Sequence, residues 1–115
     1  MTCKRGDVVL AMFPDSNLRT GKARPALVVQ ADNLATGLPQ LVLAMITSNM
    51  TRAGHPSRVT VLVASPAGQQ SGLRIDSVIM TDNLQTVLEA RIDRIIGTWS
   101  DMAAVDAALR HTLGL

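Results

Sequence analysis

Short apolar runs broken by turn residues recur along most of the chain, and their period is that of strands until the C-terminal tail. Asp7 to Phe13 is a near-continuous apolar run led in by Gly6 and predicts a first core strand. Pro14, Asp15, Ser16 and Asn17 punctuate it, and Ser16 to Ala23, polar and basic around Gly21, predicts an exposed loop. Ala26 to Val29, with two β-branched valines, predict a buried second strand that begins at Pro25. Asp32 to Pro39 reads as a connection with room for one short helical turn, and Leu41 to Thr47 as the third strand. Asn49 to Ser57, with Gly54 and Pro56, predicts a surface loop, and Arg58 to Val63 the fourth strand. Ser65 to Gly72 is small and polar, a loop with at most a single helical turn. Leu73 to Thr81 resumes the strand pattern around Ser77 to Met80, Asp82 and Asn83 break it, and Leu84 to Val87 continue as a short strand. Arg91 to Gly97, carrying Ile92, Ile95 and Ile96, predicts a closing strand. Only the tail has helical spacing: Ser100 is the expected N-cap, and Met102, Val105, Ala108 and Leu109 recur on one face before Gly114. Many short strands followed by one helix predict an α+β, mainly β fold, a small curved barrel with the helix packed on it.

With 115 residues and no linker or repeat, one domain over residues 1–115 is expected. Hydrophobic residues make up 47% of the chain, yet no run approaches the roughly 18 apolar residues of a membrane span. No secretory leader pattern precedes the first strand, so a cytoplasmic protein with no membrane partner is expected. The single cysteine, Cys3, excludes an intramolecular disulfide and a multi-cysteine zinc site.

Net charge is only +2, but its distribution is uneven. Up to Arg74 the cations Lys4, Arg5, Arg19, Lys22, Arg24, Arg52, Arg58 and Arg74 face only Asp7, Asp15 and Asp32; beyond it acids outnumber bases. A localised basic region is the electrostatic footprint of an anionic partner such as nucleic acid. The only aromatics are Phe13 and Trp99, so no extended stacking platform for single strands is expected.

The candidate chemistry gathers at strand ends. Arg24 precedes Pro25, which holds it extended, and Lys22 lies two residues earlier. A guanidinium on a stiff base suits a phosphate, and equally a carboxylate partner at a strand end. Thr47, Ser48 and Asn49 cluster small hydroxyl and amide groups that either tie up loose backbone or serve catalysis. Asp82 is equally an Asx turn or a functional acid, His55 lies in a loop, and His111 falls on the helix surface. Neither histidine forms a metal constellation with Cys3.

Gly6-Asp7-Val8, Arg24-Pro25-Ala26-Leu27-Val28-Val29, Ile46-Thr47-Ser48, Ser77-Val78-Ile79-Met80 through Leu84-Gln85-Thr86, and Arg91-Ile92-Asp93-Arg94-Ile95-Ile96-Gly97 followed by a helix resemble, in that order, the MazF/PemK toxin family. The resemblance covers essentially the whole chain. It implies an SH3-like barrel of the MazF/PemK/CcdB type, a homodimer with an RNA groove at or near its interface, and a metal-free, cofactor-free endoribonuclease of a type II toxin-antitoxin module. Single-stranded RNA is the implied substrate, and the implied antitoxin lays a flexible, acidic C-terminal segment in the groove. The family's catalytic arginine falls on Arg24, its catalytic threonine on Thr47 and its acidic position on Asp82, the candidate for the base that takes the 2′-hydroxyl proton. Arg19, Lys22, Ser48, Asn49, Arg52, His55 and Asn83 are further candidates for RNA contact. Two positions depart from the pattern: Leu18-Arg19-Thr20 replaces an acid-containing run, and Met80 stands where some members have arginine. The alternative is a non-catalytic module of the same fold that binds a protein target or antitoxin without cutting RNA, for which Arg24 and Thr47 would have no use.

Overall fold

The computed structural model describes residues 2–14 and 21–115. The strands are β1 (Asp7–Pro14), β2 (Gly21–Val28), β3 (Gln40–Thr47), β4 (Arg58–Val61), β5 (Ser77–Leu88) and β6 (Ile92–Thr98). A short helix α1 (Pro66–Gln70) precedes β5, and α2 (Met102–Leu113) closes the chain. All six strands join one sheet in the order β4-β5-β3-β2-β1-β6, every pairing antiparallel. This is the expected α+β, mainly β class with a C-terminal helix. Among the described residues, no helix is long and apolar enough to cross a membrane.

The near-continuous apolar runs reflect a sheet buried on both faces. Val8, Leu27, Ala44, Ile46 and Ile79 form one face, covered by Val105 and Ala108 of α2 and by Trp99. Their sequence neighbours Val9, Val28 and Met45 point to the other face, where they pack with Ala11, Ala26 and Leu43. That second cluster is built from strand residues alone, so the sheet curls over itself to bury it. Register shifts in the β1–β6 and β3–β5 ladders supply the bends such a curl requires.

Several element boundaries differ from the sequence expectation. The N-cap of α2 is Asp101, not Ser100: its carboxylate accepts from the Ala104 N–H at 3.2 Å, while the Trp99 indole N–H donates to its carbonyl at 3.1 Å. An anion also gains from the positive end of the helix, which a hydroxyl does not. The Asp32–Pro39 connection contains a turn but no helical turn. β4 stops at Val61, because the next carbonyl, of Leu62, accepts from both the N–H and the hydroxyl of Ser65. β5 begins at Ser77 rather than Leu73, after Gly72 turns the chain with φ +75° against the Ile96 carbonyl, where no side chain fits.

Asp82 and Asn83 do not break the strand: β5 runs through them for 12 residues. Thr81, Asp82 and Asn83 instead bulge out of the β3 register, between Met80 opposite Met45 and Leu84 opposite Ala44. The polar side chains find partners in place of a turn. Buried Thr81 donates its hydroxyl to the Ser57 carbonyl at 2.6 Å and accepts from Thr112 at 2.8 Å, which fastens the end of α2 to β5.

β2 begins at Gly21, four residues before the predicted start at Pro25. Pro25 is not the mouth of the strand but the place where it loses a neighbour. β2 pairs with β1 from Gly21 to Leu27, yet with β3 only from Ala26 to Val28. Val29 donates its N–H to Val42 on β3, and the alternation of an antiparallel ladder aims the amide positions of residues 27 and 25 the same way. The next rung would be Pro25 to Ile46, and proline has no N–H to give. The ladder stops at Ala26–Met45 and the two strands part. The substitution Pro25→Ala is expected to extend the β2–β3 ladder by one rung, read as a new slowly exchanging amide at that position by hydrogen exchange. Fast exchange of the new amide would show that something else separates the strands.

Candidate active site

The parting of β2 from β3 decides where the predicted strand-end residues go. Arg24 lies two residues beyond Ala26, and Thr47 two beyond its partner Met45. Side chains two apart on a strand share a face, so both project from the face that carries Ala26 and Met45, one on each side of the gap. Thr47 stays fixed there by its pairing with Val78 of β5. Arg24 is held on the other side by its pairing with Ala11 of β1.

Three concavities meet at this point. One, of about 320 Å3, is bordered by Arg24, Thr47, Asn83 and Gln85 against apolar Phe13, Met45, Ile46 and Met80. A second, of about 330 Å3 on the other side of the same two residues, adds Lys22 and Ser48. The third, of about 360 Å3, joins Thr47 to Asn49, Thr51, Arg52 and Arg58. Thr47 belongs to all three, and Arg24 to two of them.

Arg24 and Lys22 are exposed, and the extended backbone puts them on one face. Among the described residues the ion pairs are Arg5–Asp106 and Arg58–Asp82, so the alternative of a carboxylate-paired Arg24 is not realised there. Thr47 does what a strand-end threonine commonly does: its Oγ1 accepts from the Asn49 N–H at 3.1 Å. That bond uses the oxygen as acceptor and leaves the hydroxyl proton for another partner.

Lys22, Ser48, Asn49, Arg52 and Asn83 all border the same group of concavities. Arg19, with the Leu18-Arg19-Thr20 departure, lies outside the described residues. Asp82 borders none of the three. Its two carboxylate oxygens accept from Arg58 Nε at 2.8 Å and Nη2 at 3.1 Å, a forked pair. Those hydrogen bonds, with the guanidinium charge, hold the Asp82 carboxyl below its ordinary range. His55 also stands apart, its ring edge-on to His111 with centroids 6.0 Å apart and its Nδ1 accepting from the Ser57 N–H. No group of three or more His, Cys, Asp or Glu side chains placed to hold a metal occurs among the described residues.

Three contributors are not among the site candidates that the linear pattern gives. Phe13 stands there as core and as one of two aromatics, Arg58 as a strand start and one cation of the basic region, and Gln85 as one polar residue after a supposed break. The Thr81–Asn83 bulge turns Asn83 and Gln85 toward Arg24, and a bulge is not readable from residue types alone.

A sequence profile of PemK-like, MazF-like toxins of type II toxin-antitoxin systems matches residues 4–113. Endoribonuclease EndoA of Bacillus subtilis is 32% identical over 118 aligned residues, covering 100% of this chain and 97% of the relative. Among solved structures, the MazF-mt6 toxin of Mycobacterium tuberculosis superposes with a TM-score of 0.73 at 24% identity, covering 95% of this chain and 97% of the other. The MazE-MazF complex of Deinococcus radiodurans gives 0.75 at 21% identity over 100% and 99%. A mycobacterial endoribonuclease in complex with its cognate antitoxin gives 0.75 at 21% over 99% and 97%. These three structures share the fold of this chain. With its whole length aligned to EndoA and residues 4–113 matched by the profile, the chain belongs to the PemK-like, MazF-like family of type II toxin-antitoxin toxins.

Proposed function

We propose that this chain is a metal-independent endoribonuclease, the toxin of a type II toxin-antitoxin pair, which cuts single-stranded RNA by attack of a ribose 2′-hydroxyl on the adjacent phosphorus. The observation that carries this reading is the meeting of Arg24 and Thr47 at the parting of β2 and β3. The name of the Bacillus relative, an endoribonuclease, supports it.

In the reaction the 2′-oxygen loses its proton and bonds to phosphorus, negative charge builds on the non-bridging oxygens, and the 5′-oxygen leaves with a proton. The products are a 2′,3′-cyclic phosphate and a 5′-hydroxyl. Arg24 presents a planar fork that matches two phosphate oxygens, and its charge opposes the charge that develops on them. The Thr47 hydroxyl, anchored through its oxygen, donates to a non-bridging oxygen from the opposite bank of the gap. Lys22, Ser48, Asn49 and Arg52 extend the polar and cationic surface along which the neighbouring nucleotides run. Asp82 enters the proposal as an anchor for Arg58 rather than as the proton acceptor. A carboxylate already receiving two hydrogen bonds from a guanidinium is a weak base at neutral pH.

The single domain acts as a homodimer in the cytoplasm, where its RNA is, with no membrane partner. Its cognate antitoxin brings an acidic flexible C-terminal segment that competes with RNA for Arg24 and its neighbouring cations. Two neighbours solved as antitoxin complexes support that partnership.

Arg24→Ala and Thr47→Ala are each expected to lower the cleavage rate on the order of 100- to 1000-fold. Both side chains are at least partly exposed, so circular dichroism should show an unchanged fold. The assay is cleavage of defined single-stranded RNAs in chelator with the new ends mapped; undiminished cutting by either variant removes that residue from the mechanism. Asp82→Asn should retain cleavage and lose no more than about 1 kcal/mol of stability, since the Asp82 carboxylate is exposed and the asparagine carbonyl can still accept from the half-buried Arg58. Because Arg58 lowers the folded-state pKa of Asp82, the pair contributes fully above the unfolded carboxylate pKa and fades as pH falls through the lowered one. Urea titrations should therefore show a constant gap between wild type and Asp82→Asn from about pH 5 to 8, closing below about pH 4. A loss of cutting equal to that of Arg24→Ala would instead make Asp82 the base.

A further inference from the structure

The concavity bordered by Arg24, Thr47, Asn83 and Gln85 has more in it than phosphate contact requires. Its polar edge is two neutral carboxamides, and its walls are Phe13, Met45 and Met80. Neutral amides against apolar walls are poor company for a phosphate and good company for a heterocycle. The geometry points to a nucleobase pocket: the Asn83–Gln85 pair reads one base of the RNA, adjacent to the phosphate that Arg24 and Thr47 hold. This inference rests on the nuclease reading and names its specificity element.

The two amides are paired with each other. Gln85 Nε2 donates to Asn83 Oδ1 at 3.0 Å. That bond joins the two side chains and leaves the Asn83 N–H2 and the Gln85 carbonyl unspent. Turning both amides by half a rotation exchanges their roles and leaves the same result, one carbonyl beside one N–H2. Such an edge complements a base that shows a donor next to an acceptor, as adenine does at N6 and N7.

The shape also suits a single base. At about 320 Å3 the concavity lies at the small end of the ~300–1,000 Å3 range of ligand pockets, the size for one base rather than an oligonucleotide. Phe13 sits in its wall, one of only two aromatics in the sequence. The β1–β2 register sets Phe13 across from Lys22 and Ala11 across from Arg24, so Phe13 shares the sheet face of Arg24. A composition too poor in aromatics for a stacking platform still supplies the single ring that one unstacked base needs.

The bulge sets where the two amides stand. The three residues Thr81, Asp82 and Asn83, inserted where β4 stops pairing with β5, re-aim the rest of β5. Arg58 holds Asp82 and Thr112 holds Thr81, so the bulge is fixed from outside the pocket. Asn83 and Gln85 are thus presented on a braced strand rather than on a loop.

The test uses full-length protein and a panel of short single-stranded RNAs made uncleavable by 2′-O-methyl groups, varied one base at a time and read by fluorescence anisotropy. Wild type is expected to prefer one base at a single position next to the phosphate held by Arg24 and Thr47. Asn83→Ala and Gln85→Ala should each cut that preference roughly tenfold or more while leaving affinity for the disfavoured RNAs nearly unchanged. Gln85→Glu, which offers only acceptors, should redirect the preference toward bases that show donors at that edge. Preference that survives both alanine variants, an equal loss across the whole panel, or a wild type that binds every sequence alike would overturn the pocket. A parallel cleavage assay on unmodified RNA separates the two readings. Selective binding through the amides by a protein that never cuts would retain the pocket and sink the nuclease, whereas cutting with amide-independent selectivity would do the reverse.

Discussion

A missing hydrogen-bond donor organises this molecule. Pro25 occupies the one position in β2 where the next rung to β3 needs an N–H, and the ladder ends at Ala26–Met45 for want of it. β2 nevertheless continues outward, because β1 pairs with it as far as Gly21. One strand held on a single side therefore runs past a neighbour held on its own other side. The gap between them is not a loop left open but a space with two rigid walls. Residues two past the last rung, Arg24 and Thr47, face one another across it without a flexible segment having to place them. Side chains presented from paired strands keep their geometry better than side chains on loops, which is what preorganised stabilisation of a developing charge needs.

The β5 side of the site solves a different problem. A strand serving two neighbours must present its side chains alternately, yet the site needs Met80, Asn83 and Gln85 on one side. Simple alternation from Met80 leads to residues 82 and 84, not 83 and 85. The three-residue bulge resets the phase, and each bulged polar group is given a partner: Ser57 and Thr112 for Thr81, Arg58 for Asp82, and Gln85 for Asn83. The Arg58–Asp82 pair, its carboxylate exposed and its guanidinium half-buried, contributes modestly to stability by itself. Its importance is positional, since it ties the carboxylate to Arg58, apart from the concavities that Arg24 and Thr47 border.

Much of this was legible in the chain. The strand pattern, the closing helix and the likeness to MazF/PemK toxins came from apolar runs, turn residues and motif order, all local properties. Arg24 and Thr47 were legible because each sits beside a marker, proline in one case and a run of hydroxyl and amide side chains in the other. The errors share a cause: the residue type was read correctly and the partner was unknown. Pro25 begins a strand in isolation, but with β1 on one side it ends a ladder instead. Asp82-Asn83 makes a turn unless an arginine 24 residues away takes the carboxylate. Asp101 displaced Ser100 as the cap through the Trp99 bond to its carbonyl, again a contact the local pattern does not encode.

The departure at residue 80 acquires a meaning from this geometry. Some members of the family carry arginine there, whereas this chain has Met80, and the side chain lines the wall of the concavity beside Arg24 and Thr47. A second guanidinium in that wall would add charge for phosphate but would also bring a strongly solvated group into the space where a base must shed its water. Methionine gives the opposite balance. It is unbranched and polarisable, and it packs well against the face or edge of a flat ring. Among the described residues Arg24 is then the one cation lining this concavity, and beside Thr47 the remaining walls are left to van der Waals contact and the two amides. Under the proposed function, a site built this way separates its tasks in space, with charge at the parting of the strands for a phosphate and neutral recognition a few residues along β5 for a base. On that reading, selectivity can change through residues 80, 83 and 85 without touching Arg24 and Thr47.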